Sequence, residues 1–405
     1  MGALGRRTFI AAFLGWTLDA FDFFLVTFVI KDIAATFHQG IVAILGAITL
    51  TLMLRPLGAL IFGICADRFG RRGPLMVNIL LYSALELATG FAPSFGVFLL
   101  LRGLYGIAMG GEWGVGAALA LESLPVERRG FFSGVLQQGY AVGFLLAAVT
   151  FYAVFPHFGW RAMFFVGAAP ALLVVYIRAA VPESRAWRAQ RQRNTGDPIG
   201  LWRSFVRRPG LYVYAVVLMT AFNFMSHGSQ DLYPTFLREQ RGFTVGMTSV
   251  LAIVANLGAI VGGTLFGGLS QRIGRRRAIV GAACLGIIAI PLWAFSPSVA
   301  LLGLGAFVLQ FFVQGAWGVV PIHLNELSPS DVRGTFPGLT YQLGNLFSAG
   351  AAQMEAAFAR GTFPLRVHAG ADYAKALAII MLIVFAAVGL IAALGPERRG
   401  ADLAS

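Results

Sequence analysis

Charged residues are what this sequence has least of. They make up 12% of its 405 residues, against 58% hydrophobic ones, and the mean hydropathy is +0.75. A soluble domain carries about 25% charged residues, so the composition excludes any large soluble domain and belongs to a polytopic membrane protein. Cysteine is almost missing as well: Cys65 and Cys284 lie in or beside apolar runs, with no metal-ligand spacing. A disulfide framework is thereby excluded. The chain has no nucleophile–base constellation and no metal-ligand cluster, so neither an enzyme nor a bound cofactor is expected. No small-residue cleavage site follows a short apolar core behind Met1 to Arg7, and the first apolar run reads as an uncleaved helix, not a signal peptide.

The charge that is present falls unevenly. Lys and Arg number 31 and Asp and Glu 18, a net charge of +13, which would suit nucleic acid if the basic residues formed a patch. They fall instead in short clusters between alternate apolar runs. Basic clusters on one side of a membrane mark cytoplasmic loops and meet anionic headgroups of the lipid bilayer, so no nucleic-acid partner is expected. Twelve apolar spans are predicted, at about 8–30, 41–64, 74–93, 97–121, 131–154, 161–181, 211–237, 246–269, 278–296, 299–323, 335–358 and 373–394, each near the roughly 20 residues of a bilayer-crossing helix. The even-numbered connections and both ends carry Arg6, Arg7, Arg68, Arg71, Arg72, Arg128, Arg129, the arginines from Arg185 to Arg208, Arg272, Arg275, Arg276, Arg277, Arg333, Arg398 and Arg399. The opposite side has only Lys31, Arg161, Arg238, Arg241, Arg360, Arg366 and Lys375. Both termini are therefore predicted cytoplasmic, in a multi-pass protein of the plasma (inner) membrane.

The longest connection, Pro182 to Gly210, is rich in arginine. It divides an all-α membrane protein into a six-helix bundle over 1–184, a basic cytoplasmic linker over 185–210 and a second six-helix bundle over 211–405. The two halves repeat each other. Gly58-x4-Gly63-x3-Asp67-Arg68-x-Gly70-Arg71-Arg72 returns as Gly262-x4-Gly267-x3-Gln271-Arg272-x-Gly274-Arg275-Arg276. Trp113 returns as Trp317, Glu122 as Glu326, Arg129-Gly130 as Arg333-Gly334 and Gln138 as Gln342, every pair 204 positions apart. Two parallel six-helix halves imply a transporter with its site near the midplane between them, working as a monomer.

The seventh span carries Asn223, His227 and Asp231 at i, i+4 and i+8, on one helical face, with Ser226 and Gln230 beside them. Ionisable groups within a span are costly and face a water-filled path or a partner, so this face reads as a site or as a polar interhelical clamp. At the repeat offset Asp19 corresponds to Asn223 and Asp22 to Ser226. A small carboxylate needs a cationic partner, and arginine matches it bidentately. Arg102, about five residues into the fourth span, either binds such a carboxylate or pairs with Asp22 or Asp231. Imidazole titrates near neutral pH, and His227 and Asp231, four residues apart, would titrate as a coupled pair. Asp19 and Asp22 are a second candidate proton site, or pairing partners for Arg55 or Arg102. Glu112, after a double glycine, reads as a site or a packing feature, and Glu355 has no assigned role.

The stretch from Gly63 to Arg72 fits G-x3-D-R-x-G-R-R/K, and the chain resembles the major facilitator superfamily along essentially its whole length. Within it, the fourth span from Arg102 to Trp113, Pro182-Glu183-Ser184, Tyr341-Gln342-Leu343-Gly344-Asn345 and above all the seventh span are similar to the fungal-type lactate/pyruvate–proton symporters of the sialate–proton symporter family. Asn223, Ser226, His227, Ser229, Gln230, Asp231 and Thr235 fill every defined position of N-x-x-[S/Q]-H-x-[S/T]-Q-D-x-x-x-T. This chain lacks the longer polar termini of the fungal proteins and the extra spans of bacterial sialate carriers. The resemblance implies alternating-access symport of a small monocarboxylate (L-lactate or pyruvate) with a proton as coupling ion. Sialic acid or another organic anion, or a non-transporting membrane sensor, are the alternatives. It further implies substrate recognition and proton coupling at Asn223, His227 and Asp231 and favours Gln342 as a substrate contact, while the residues themselves add Arg102, Ser226 and Gln230 as expected substrate contacts and Asp19 and Asp22 as expected proton sites. A conformational latch would be built from Gly63, Asp67, Arg68, Gly70, Arg71, Arg72, Glu122, Arg129, Arg272, Arg275, Glu326 and Arg333. In that latch Asp67 is expected to pair with an arginine such as Arg129. An ion pair made in one state and broken in the other biases the equilibrium by its differential energy.

Overall fold

The computed structural model describes residues 2–193, 200–359, 372–401 and 403. The middle of the linker, 194–199, and the outer-side Arg360 and Arg366 lie outside the described residues. Among those residues the chain is helical throughout, with no strand. Ala3–Phe28 is the first span, Ile41–Phe69 the second and Arg72–Gly90 the third, and Phe95–Gly110 with Glu112–Glu122 make the fourth. Arg129–Gln137 and Gly139–Val166 carry the fifth, until Gly159 (φ 72°, ψ −175°) breaks the helix and the sixth begins, ending in Ala171–Ala180. The seventh is Pro209–Gln230, prolonged by Tyr233–Thr235 and a wider turn at Phe236–Gln240. Val245–Ile273, Arg275–Phe295 and Val299–Leu327 follow, then the eleventh in two pieces, Phe336–Ser348 and Ala351–Ala359, and Tyr373–Leu394 as the twelfth.

Nine helical runs among the described residues are long and apolar enough to cross a membrane, the fifth and sixth spans counting as one run. The third and eleventh are not among them for physical reasons. The third buries Asn78 and Glu86 and begins at Arg72, and the eleventh is interrupted after Ser348. The twelve-span architecture read from the sequence thus has a helical segment for each span.

The first six spans meet the last six along two seams, the fifth against the eighth and tenth and the second against the eleventh. Glycine permits the first of these. Gly134 lies on the backbone of Gly263 and Thr264, and Gly130 on that of Gly267, so a Cβ at either would enter the opposite helix.

At the end of the bundle that bears both termini, the seams are tied by two reciprocal grips. Asp67 accepts from the Gly334 N–H at 2.6 Å, the Thr335 N–H at 3.0 Å and the Thr335 hydroxyl at 2.6 Å. Its repeat mate Gln271 accepts from the N–H of Gly130, the repeat mate of Gly334, at 3.1 Å. Behind each grip stands an arginine–glutamate pair. Arg71 binds Asp67 at 2.8 Å and Glu122 at 3.4 Å, and Arg275 binds Glu326 through two nitrogens at 2.9 and 3.0 Å. The expected partner of Asp67 is corrected here, because Asp67 pairs with Arg71, one helical turn away, and not with Arg129. Arg129 instead donates to the Leu121, Leu124 and Ala401 carbonyls, as Arg333 does to that of Leu403. Arg68 lends its carbonyl to Arg191 of the linker, and Arg272 its own to Arg399. Arg72 reaches the Arg178 carbonyl.

Gly70 (φ +102°) and Gly274 (φ +104°) turn the chain between spans at equivalent places in the repeat. This left-handed backbone is costly for any residue with a Cβ. Gly274→Ala is expected to lower stability by about 1–2 kcal/mol, measurable as a lower unfolding midpoint in detergent. Gly281→Ala, at a helical glycine with open space around it, should leave the midpoint near or above the wild-type value.

Candidate functional site

Five aromatic rings gather where the halves face each other. Trp16, Trp113 and Tyr140 come from the first half, Trp317 and Tyr341 from the second. Trp113 and Trp317, equivalent in the repeat, both pack on Tyr341, with ring centroids 4.7 and 5.8 Å away, and Trp16 stacks on Tyr140 at 5.8 Å. Rings of this kind give a small organic ligand a rigid apolar wall.

Polar groups stand on both sides of these rings. On the seventh span the His227 Nδ1 and the Asp231 carboxylate lie 3.0 Å apart, with side chains 30% and 36% exposed. The i, i+4 spacing brings them together, and the helix ends one residue before Asp231, leaving that carboxylate less enclosed than a mid-helix group. Asn345 of the eleventh span lies near the His227 ring. Across the interface, Arg55 of the second span lies 3.7 Å from Asp19 of the first. Arg55 is buried, with its guanidinium 5.4 Å from the Phe23 ring centroid. Its Nε has no partner among the described residues, its Nη2 contacts the Met109 sulfur, and its charge acts on Tyr140 and on Tyr341 of the opposite half. Tyr140 also lies within electrostatic range of Asp231. Arg55 and Asp231, from opposite halves, thus both lie within electrostatic range of Tyr140.

Other expected site residues lie elsewhere. Arg102 does not meet His227 or Asp231, and its ion-pair partner is neither Asp22 nor Asp231. Its Nη2 binds Glu86 of the third span at 2.5 Å, its guanidinium lies 3.9 Å over the Tyr105 ring, and both members of the pair are enclosed within the first half. Two side chains with low exposure and a charge-assisted bond leave this arginine little freedom to bind a ligand. Asp22 is fully buried beside this pair, with neither carboxylate oxygen hydrogen-bonded among the described residues and Glu86, Asp19 and Arg102 as its charged neighbours. Gln230 donates to Gln310 of the tenth span at 3.2 Å, and Gln310 donates to the Ser229 hydroxyl at 3.0 Å, a bridge between the seventh and tenth spans. The Ser226 carbonyl accepts from Ser229, and the Asn223 amide donates to the Met219 carbonyl at 2.8 Å. Gln342 is buried with its Oε1 unpaired among the described residues, so it keeps an acceptor for a ligand hydroxyl or an ordered water. Glu112 is buried against Gly15 and Gly116 with both oxygens unpaired among the described residues.

Sequence reasoning passed over Glu86 and gave Arg55 only a pairing role. A lone acid within the third span was the available signal for Glu86, since charge within a span calls for a partner.

Residues 12–352 match the Major Facilitator Superfamily. The chain is 34% identical to a carboxylic acid transporter protein homolog of Saccharomyces cerevisiae, over 98% of this chain and 69% of the relative. It is 31% identical to the sialic acid transporter NanX of Escherichia coli, over 84% of each. Among solved structures it resembles the proton:xylose symporter XylE bound to 6-bromo-6-deoxy-D-glucose, with a TM-score of 0.73 at 18% identity over 99% of this chain and 98% of that one, a likeness of fold. The match to the family model covers well over half of the sequence, and the twelve helical segments have the arrangement its solved members share. This chain is an integral membrane transporter, not an enzyme, and belongs to the Major Facilitator Superfamily.

Proposed function

We propose that this transporter carries a small monocarboxylate, L-lactate or pyruvate, together with a proton. The observation that carries this reading is the His227–Asp231 pair, partly exposed within a membrane span, with Asp231 and Arg55 of the other half both within electrostatic range of Tyr140. Arg55 supplies the fork for a carboxylate, Gln342 and Asn345 offer polar contacts for a hydroxyl or keto oxygen, and the packed rings of Trp113 and Tyr341 give the interface an apolar wall. His227 and Asp231 take the proton as a coupled pair. The termini lie on the cytoplasmic side and the protein works as a monomer. Loaded with anion and proton, the site carries no added net charge, and the grips at Asp67 and Gln271 open as the halves rock. Binding drives this only through its preference for one state over the other.

The names of the relatives favour the broader class. They include transporters of carboxylic acid, sialic acid, niacin and cis,cis-muconate, which share a carboxylate. The similarity to NanX keeps sialic acid, or another organic anion, as the second reading.

The test is uptake of labelled L-lactate into proteoliposomes with and without an inward proton gradient, with pyruvate, sialic acid and niacin as competitors. Gradient-stimulated uptake blocked by pyruvate alone supports the reading, and accumulation of sialic acid with indifference to lactate overturns the substrate. His227→Ala is expected to reduce the stimulation by the gradient roughly 10- to 100-fold, the range of ordinary coupling free energies. Undiminished stimulation in that variant would remove His227 from the proton path.

A further inference from the structure

Glu355 is a carboxylate with no role so far. It lies on Ala351–Ala359, the second piece of the eleventh span, which packs on the seventh and twelfth spans. Its side chain is 2% exposed, and neither oxygen has a hydrogen-bond partner among the described residues. The carboxyl is pressed against Gly228, the residue after His227. A Cβ built on Gly228 would stand 2.9 Å from the Glu355 Oε1, with the Met381 sulfur at 3.2 Å and Ile380 at 3.5 Å behind it. Glycine at 228 therefore makes the space that the carboxyl fills. Asp231, one turn further along, is its charged neighbour.

The charged and titratable groups on the elements packed against Glu355 are few. Apart from Tyr212 and Tyr214 at its other end, the seventh span offers His227 and Asp231, and the twelfth offers Tyr373 and Lys375. Lys375 is largely exposed and engaged with Asp372 at 3.0 Å. Among the described residues no cation pairs with Glu355, unlike Glu86 with Arg102 or Glu326 with Arg275. A buried carboxylate without cation or donor costs several kcal/mol, a cost that is avoided by taking up a proton.

We propose that Glu355 is the carboxyl that stores the coupling proton, loaded and unloaded through the His227–Asp231 pair beside it. This deepens the proton-coupled reading above and rests on it. In the step, a proton from water on one side passes by way of Asp231 and His227 to a Glu355 oxygen, converting carboxylate to carboxylic acid. After the halves rock, the O–H bond breaks and the proton leaves to the other side, so one proton crosses and none is consumed. The stored proton also admits the substrate. Ionised Glu355 and Asp231 together put two negative charges at this end of the seventh span, which repel an incoming anion, and protonation removes one of them.

The experiment compares Glu355→Gln with wild type in proteoliposomes, using labelled lactate or whichever anion of the panel the wild type exchanges. Two readouts are taken: counterflow exchange without a gradient, and accumulation driven by an inward proton gradient. Glu355→Gln, fixed in the neutral form, should keep counterflow within about 2-fold of wild type and lose accumulation by about 10-fold or more. A merely structural glutamate would lose both or neither. Wild-type accumulation and an unmoved pH profile in this variant would overturn the proposal. If Glu355→Gln does not insert, Glu355→Asp decides. It keeps an ionisable carboxyl in a different position, so a shifted pH midpoint of uptake supports the proposal and an unmoved one overturns it. A wild type that exchanges none of the anions would overturn both this inference and the substrate reading, whereas proton-driven wild-type transport with an unaffected Glu355→Gln would overturn this inference alone.

Discussion

Arg55→Ala is expected to weaken binding of the transported anion on the order of 100-fold, read as the dissociation constant of purified protein and as the concentration dependence of uptake. A guanidinium–carboxylate bond is charge-assisted and bidentate, and truncating one partner of a buried charged pair costs about 2–5 kcal/mol; each 1.4 kcal/mol is tenfold in affinity. In the free protein the buried Arg55 makes a 3.7 Å ion pair with Asp19, touches the Met109 sulfur and lies over the Phe23 ring, and its Nε, like that of Arg102, is unpaired among the described residues. The longer ion pair is what distinguishes it from Arg102 and leaves it freer to turn to a ligand. Arg55→Lys keeps the charge and loses the fork, so an intermediate loss is expected. An unchanged dissociation constant in Arg55→Ala would show that the anion binds elsewhere.

Arg102→Ala should behave differently, although both arginines lie in spans of the first half. Its removal leaves Glu86 buried without its cation and Asp22 beside it, and breaking such a pair costs about 3–5 kcal/mol. The expected result is poor insertion or a marked fall in the unfolding midpoint, with near-normal affinity in the protein that does fold. Replacing both members together, as Arg102→Met with Glu86→Gln, removes the stranded charge and should recover most of the stability. A stable Arg102→Ala protein that has lost only its affinity would restore Arg102 to the binding site.

The contrast between these arginines shows what could be read from the chain alone. The spans and the repeat were legible because both are periodic properties of the chain itself. One offset of 204 positions links Asp67 with Gln271 and Gly130 with Gly334, and the fold puts the same four residues in contact crosswise. The His227–Asp231 pair was legible because helical spacing decides it. Which arginine faces the interface was not legible. Arg55 and Arg102 stand in neighbouring spans whose rotation is set by packing, and Thr51 even bonds the Arg102 carbonyl at 2.9 Å while Arg55 lies one turn further on. The partner of Asp67 was misplaced for a similar cause, because Arg71 lies beyond the turn at Gly70, whose positive φ brings it back to the helix end. Glu355 stayed unassigned because its setting depends on a gap at Gly228, and a gap leaves no pattern in a sequence.

The crosswise grips are alike in geometry and unlike in bonding. Asp67 holds the eleventh span by three hydrogen bonds to a carboxylate, whereas Gln271 holds the fifth by one bond to an amide. The second edge is tied again close to its grip, where the Ser133 hydroxyl of the fifth span donates to the Gly318 carbonyl at 2.8 Å and accepts from the Ile322 N–H at 3.0 Å. What one carboxylate does alone on the first edge is thus divided between an amide and a hydroxyl on the second, so a single substitution can strip the first edge of its side-chain grip but not the second.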